Sequence, residues 1–312
     1  MNVLVKTKGL SREDWLKYRT KGIGGSDVSI IAGINPFRSI YQLWLEKTGQ
    51  TEVGQEDDIE NEYTHFGSLL EPIVRQEFTE RTGIKVRQKH MLLQSEDYPF
   101  MIADLDGIAS HNGEHAIFEA KTASAYKNDV WENEVPAPYI LQVQHYMAVT
   151  GMDKTYIAAL VGGNHFYHYV VERDDKMIGK IILMEKYFWE ENVLKGNPPV
   201  PDGSEATTDY FNRKFGNSNG KTIELPDEAL SACEEYERLS QQLKEVEQQK
   251  DAAANLLKSY LKEAESGTVG NRKVTWKQIG KSYVDGKRLK EEKPDIYEDY
   301  LRQTSYRRLT VA

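Results

Sequence analysis

Asn112-Gly113, set between two short apolar runs, constrains this chain more than any other feature of its sequence. The runs MIADLDGIA and HAIFEAK flank a dipeptide in which both residues accept φ > 0, the requirement of a two-residue hairpin turn. With Asn112 and Gly113 as the turn, alternation brings His111 opposite Glu114, Asp106 opposite Glu119 and Asp104 opposite Lys121. Facing residues have Cβ atoms about 4.5–5.5 Å apart, and like charges placed there repel. A compensating charge is therefore expected at Asp106 and Glu119. Hard oxygen ligands at that separation suit Mg²⁺, with Lys121 beside it. The plainer reading is an exposed edge carrying charge for solubility. Against it, the acids sit among Ile102, Ala103, Leu105, Ile108, Ile117, Phe118 and Ala120, and buried carboxylates need partners.

The 312 residues suffice for one large domain or a domain with an appendage, and 39% hydrophobic with 29% charged residues is ordinary for a globular protein. No apolar run approaches the ~20 residues that span a bilayer, and MNVLVKTKGLSRED lacks the continuous apolar region of a signal peptide, so a cytoplasmic protein without membrane contact is expected. A single cysteine, Cys233, excludes an intramolecular disulfide and any cysteine-rich metal site. The net charge of −9 argues against adhesion to nucleic acid over the whole surface. It leaves room for a local basic channel in which a few arginines grip phosphate.

Ser11 opens a short helix through Trp15, Leu16 and Tyr18. In YRTKGIGGSDVSIIAGINPF, glycines 22, 24 and 25 form a loop and Ser26-Asp27 caps a short apolar helix. Its free N–H groups, the Ser26 hydroxyl and Arg19 make an anion site, or the glycines merely reverse the chain. Residues 39–48 read as an amphipathic helix stopped by Gly49, and the acidic run TEVGQEDDIENE as a solvated loop. Phe66, Leu69, Leu70, Ile73, Val74 and Phe78 recur at helical spacing over residues 65–82. Pro72 is expected to kink or restart that helix, leaving Glu71 either exposed or aimed at a positive partner; exposure is the expectation.

Residues 85–94 read as one strand, and residues 128–138 as an irregular border to a substrate channel. Residues 139–150 form a helix that places Gln142 and Tyr146 on one face, where an amide and a phenol can orient water or phosphate. Two β runs, 155–161 and 165–171, join at Gly162-Gly163-Asn164; His165 and His168 would face opposite sides and make no metal pair. A long helix covers residues 175–194. The Pro- and Gly-rich residues 196–222 read as a linker or extended connection. Beyond it, Ala232, Tyr236, Leu239, Leu243, Val246, Ala253, Leu257 and Tyr260 follow a 3–4 repeat interrupted by Lys250, the pattern of a helix that packs on another helix or chain. A small hairpin over residues 267–279 and a tail with Arg302, Arg307 and Arg308 complete residues 223–312.

GIGGSDVSIIAGINPF, FGSLLEPIVRQEF, DLDG, FEAKTA and QVQHYMAVTG, in that order, resemble the YqaJ-like viral recombinase family, to which the lambda-type exonucleases belong. The likeness covers roughly residues 10–195. It implies an α/β (α+β) PD-(D/E)XK nuclease core, a central mixed β-sheet flanked by helices, over residues 1–195. The implied activity is 5′→3′ exonuclease action on double-stranded DNA ends, leaving 3′ overhangs for a single-strand annealing protein. Carried onto this sequence, the resemblance implies Mg²⁺, or Mn²⁺ as a substitute, in two ions held by Glu71, Asp106, Glu119 and the Ala120 carbonyl. Lys121 would be the catalytic lysine, assisted by Gln142 and Tyr146. Arg19, Ser26 and Arg38 would receive the DNA 5′-phosphate. Homo-oligomers, often rings, are also implied. Asp104 stands where the family usually has a small residue, and a metal role for it stays open. The competing readings are a restriction-like or structure-specific endonuclease of the same fold, a non-catalytic DNA-binding or assembly protein, and a carboxylate-pair glycosidase, which the adjacent lysine disfavours.

Overall fold

The computed structural model describes residues 1–50, 62–302 and 304–311. Most of the acidic run expected as a solvated loop, residues 51–61, lies outside the described residues. The chain divides into two compact units, Met1–Phe211 and Asn212–Ala312, each taken here by itself.

The first unit opens with β1 (Asn2–Lys6), α1 (Arg12–Arg19), α2 (Gly25–Ile31), α3 (Ile40–Lys47) and the long α4 (Glu62–Thr82). Then follow β2 (Lys85–Arg87), β3 (Met91–Gln94), β4 (Ile102–Asp104), β5 (Gly107–His111) and β6 (Glu114–Ala123). Helices α5 (Asn128–Asn133) and α6 (Ala137–Thr150) lead to β7 (Lys154–Val161) and β8 (His165–Glu172). Helix α7 (Asp175–Tyr187) continues through a π-helical stretch, Phe188–Leu194, and α8 (Glu205–Lys214) comes last. The mixed five-stranded sheet has the order β2-β5-β6-β7-β8, with only the β6–β7 pair parallel. Strands β1, β3 and β4 form a separate antiparallel sheet.

The hairpin register is the one written from the turn. Asn112 and Gly113 take φ of 50° and 83°. His111 pairs with Glu114, and the ladder runs on to Gly107 opposite Phe118. The next pair would be Asp106 opposite Glu119, but the chain leaves the ladder there. Asp104 therefore does not face Lys121, as alternation predicts; it closes β4 and pairs with Leu92 in the other sheet. The same division between sheets corrects the single strand expected over residues 85–94. β2 pairs with β5, whereas β3 lies between β1 and β4. Once β5 has departed, residues 119–123 of β6 keep a strand neighbour only on the β7 side. That open edge is where the site forms.

Two apolar layers cover the large sheet. On one face Phe78 and Val74 of α4 pack on Phe118, Ala116 and Ala158; on the other, Val143 and Met147 of α6 pack on Ile117, Ile157 and Ala159. Alternation along β6 therefore sends Phe118 toward α4, and Ile117 and Glu119 toward α6. Helix α4 runs through Pro72 as one element, and its apolar residues divide. Val74 and Phe78 are buried, while Phe66, Leu69 and Ile73 are more than half exposed.

Segment 196–222 is not simply extended, since α8 lies within it and buries Tyr210 beside Tyr41 and Trp44. His145 and Glu185, both fully buried, join α6 to α7 at 2.7 Å, and the second imidazole nitrogen reaches the Ile102 carbonyl at 2.9 Å. The second unit holds α9 (Ala229–Leu261), the hairpin β9 (Ser266–Val269) and β10 (Arg272–Thr275), α10 (Gly286–Glu292) and α11 (Pro294–Tyr300). No helix among the described residues is long and apolar enough to cross a membrane.

Phe118 is fully buried between α4 and the sheet. Phe118→Ala is expected to cost about 3–5 kcal/mol, read as a lower urea midpoint, whereas Val170→Ala on the half-exposed outer strand should stay within about 0.5 kcal/mol.

Candidate active site

The open edge of β6 forms one wall of a cavity of about 420 Å³, and α1, α2, α4, β4 and α6 supply the others. Nearly every acid and amide singled out in the sequence converges here: Glu71, Asp104, Asp106, Glu119, Lys121, Gln142 and Tyr146 line it, as do Arg19, Ser26 and Ala120. Arg38 does not. Its guanidinium pairs with Glu46 off the cavity wall.

Glu119 is 2% exposed. Its Oε1 accepts from Lys121 Nζ at 2.6 Å and from Gln142 Nε2 at 2.7 Å, while Oε2 is buried with no donor. Gln142 also donates to Tyr146 Oη at 3.0 Å, so the i,i+4 pair acts as one bracket on Glu119. Tyr146 is in turn wedged by α2: a Cβ on Gly25 would stand 2.5 Å from its ring, so only glycine permits the two helices to approach this closely. Asp106, just past the end of the ladder, turns Oδ2 onto the Ala120 N–H at 2.8 Å and so comes to lie beside Glu119. Glu71 is not left exposed. Its carboxylate lines the cavity and takes a hydrogen bond from Arg75 Nη1 at 3.0 Å, and the same nitrogen donates to the Asp106 carbonyl at 3.3 Å.

The electrostatics follow from crowding acids in a place with little water. Burial, and then the neighbouring Asp106, push the Glu119 carboxyl up to about 8. Burial raises Asp106 as well, against the pull of Lys121 and the Ala120 N–H. Glu71 is raised by burial and then by Asp106. Burial alone would lower Lys121, but Glu119 and Asp106 outweigh it and hold the ammonium above its usual value. Burial and the neighbouring acid thus keep Glu119 protonated at neutral pH, and its Oε2 is buried with no donor.

At the other end of the cavity, Arg19 Nη2 donates to Ser26 Oγ at 3.1 Å and to Asp27 Oδ1 at 3.2 Å. The sequence placed the helix cap at Ser26-Asp27. In the structure Gly24 is the N-cap, and Asp27, at the third helical position, accepts the Gly24 N–H at 2.9 Å. Asp27 is buried and also meets Lys47 at 2.9 Å. Burial opposes its ionisation, yet Lys47 and Arg19 hold its carboxyl well below the usual range. This fixed ion pair sets the Arg19 guanidinium beside the Ser26 hydroxyl on the cavity wall.

Two partners had escaped sequence reasoning. Arg75 stands one helical turn from Glu71, a spacing that could have revealed it. Trp15 gave no local signal; its indole N–H donates to Asp104 Oδ2 at 2.8 Å across 89 residues, and the Arg19 guanidinium lies over its ring at 5.1 Å.

An acid on the helix before the sheet, an acid at a strand end, and a Glu-x-Lys on the next strand with a glutamine from the following helix all line this one cavity. The chain belongs to the YqaJ-like viral recombinase family. The model of that domain matches residues 14–153. The YqaJ protein of Bacillus subtilis (strain 168) is 41% identical over 313 residues, spanning 99% of this chain and 97% of the relative. Among solved structures, the alkaline exonuclease LHK-Exo from Laribacter hongkongensis is 22% identical, with a TM-score of 0.48 over 65% of this chain and 97% of that one. A phage-related exonuclease from Haemophilus somnus 129PT is 14% identical, with a TM-score of 0.40 over 56% of this chain and 97% of that one.

The raised Glu119 carboxyl fixes the sign of a pH effect. Between the ordinary glutamate value of about 4.3 and the folded value of about 8, the folded chain holds this proton and the unfolded chain does not, so Glu119 makes stability fall as pH rises. In chelator, wild type is expected to lose more stability than Glu119→Gln between pH 5 and about 8.5, the gap reaching a few kcal/mol. Superimposable melting-temperature profiles for the two proteins would refute the assignment.

Proposed function

We propose that this chain is a Mg²⁺-dependent exonuclease that degrades one strand of duplex DNA in the 5′→3′ direction from an end, leaving a 3′ overhang for a single-strand annealing protein. One observation carries the reading: a single cavity holds both a crowded cluster of acids with a lysine and, at its other end, Arg19 and Ser26, a pair suited to an anion. A scissile phosphate needs the first, and a terminal phosphate fits the second.

The donor set suits a hard divalent cation. Glu119 Oε2 is a buried carboxylate oxygen with no donor, and Asp106 and Glu71 contribute raised acids beside it. Among the described residues no three His, Cys, Asp or Glu side chains stand placed to hold a metal ion as they are; Lys121 and Gln142 meet Glu119 Oε1, and Arg75 meets Glu71. Asp106, Glu119, Glu71 and the Ala120 carbonyl would hold Mg²⁺, or Mn²⁺ in its place, as one ion or two. Bound there, the metal would supply an acidified water and charge stabilisation for the departing oxygen.

The chain's own groups do the rest. Lys121 keeps its proton in the resting site, held by Glu119 and Asp106, and presents a fixed positive charge to the attacked phosphate. Gln142 and Tyr146 keep Glu119 from rotating out of the cavity. Arg19, oriented by Asp27, and Ser26 would bind a 5′-phosphate and so set the distance from the strand end to the cleaved bond.

A linear duplex carrying a 5′-phosphate on one strand should lose that strand first in Mg²⁺, and a covalently closed circle should stay intact. Rapid cutting of the circle would instead favour an endonuclease. Lys121→Ala is expected to lower the rate by about 10³-fold. Arg19→Ala should mainly erase the preference for the phosphorylated strand, read by gel analysis of end-labelled duplex.

A further inference from the structure

The second unit buries none of its own apolar side chains among the described residues: every buried residue of the chain lies at or before Tyr210. Its largest element, α9, runs for 33 residues without one buried side chain. In proteins most of a helix's stability comes from packing an apolar face. The face exists. Tyr236, Leu239, Leu243, Val246, Leu257 and Tyr260 are 43–74% exposed and fall on the a and d positions of one 3–4 repeat, interrupted by Lys250. Within the unit, Val311 shares a shallow hollow with Tyr236, Glu237, Ser240, Gln241 and Lys244 at the first turn of the seam, and from Leu239 to Tyr260 the named seam residues stay 43–74% exposed.

We infer that α9 pairs antiparallel with α9 of a second copy of this chain. Lys250 selects both the occupant and the direction. It holds an a position in the middle of the seam. In a parallel, in-register pair it would meet the same lysine of the second copy inside the interface, two like charges in a dry layer.

Running antiparallel about a two-fold axis near residue 248, the layers become complementary. Lys250 comes opposite Val246 of the second copy, with that copy's Glu247 next in sequence, so two lysines and two glutamates gather around the axis and their charges cancel. Outward from there Leu243 meets Ala253, a large residue against a small one, then Leu239 meets Leu257 and Tyr236 meets Tyr260. This register uses the repeat from end to end; a shift by one heptad either way leaves apolar residues without a partner. The seam spans most of the 33 residues of α9, so two copies would bury a continuous line of apolar layers rather than a single contact. The arrangement is isologous and closes on itself.

The full-length chain tests this by sedimentation equilibrium. Leu243→Asp combined with Val246→Asp is expected to halve the particle mass, while each chain still digests linear DNA. Lys250→Leu, which replaces the one charged layer, should tighten association by roughly tenfold or more. In a Cys233→Ser background, Glu247→Cys, next to the axis, should yield a cross-linked pair with a short bis-maleimide, and Leu239→Cys should not. A wild-type chain that is monomeric at tens of micromolar, or whose mass is unchanged by the double substitution, overturns the proposal and leaves the seam to a different protein. Cross-linking through Leu239→Cys without Glu247→Cys overturns the antiparallel arrangement.

Discussion

Glu119 is a carboxylate built into the floor of a strand, and most of the first unit is arranged so that it can be kept there. Burying an acid beside another acid is unfavourable unless something shares the charge. Lys121 and Gln142 occupy one oxygen, Tyr146 buttresses Gln142, and Gly25 lets α2 close behind Tyr146. The second oxygen has no donor. A fold relaxed to maximum stability would not keep such an atom, and it is this cost that the proposed metal ion would offset.

The geometry that makes this possible is an interrupted hairpin. Had β5 run the full length of β6, its backbone would have filled the space beside Glu119 and Lys121. Instead the chain peels away at Asp106 into the second sheet. Asp106 is thus both the hinge of that departure and the neighbour of Glu119, pinned by the Ala120 N–H. The anion end of the cavity is built on a different principle. Arg19 is fixed by an ion pair with Asp27 that Lys47 shares, so its direction is set before any ligand arrives. One end of the cavity crowds acids whose carboxyls burial raises, and the other holds its charge balanced and aimed.

The two units differ in the same physical terms. The first buries large aromatics on both faces of its sheet. The second exposes a periodic apolar seam and, among the described residues, has none that is buried.

Sequence alone determined the turn at Asn112-Gly113 and the register down to Gly107, because both follow from backbone sterics and alternation within a few residues. It likewise determined the helix spacing that pairs Gln142 with Tyr146 and the repeat along α9. The five motif blocks, taken together, were enough to name the family. Only the tertiary structure decided that Asp104 leaves the ribbon and meets Trp15, since that depends on a second sheet assembled from distant strands. It also decided that Glu71 turns inward through Arg75, that Gly24 rather than Ser26 caps α2, and that Arg38 pairs away from the cavity. Local pattern fixes which face a residue takes along its own element. Which residues meet across elements depends on packing of the whole core, and no window of sequence contains it.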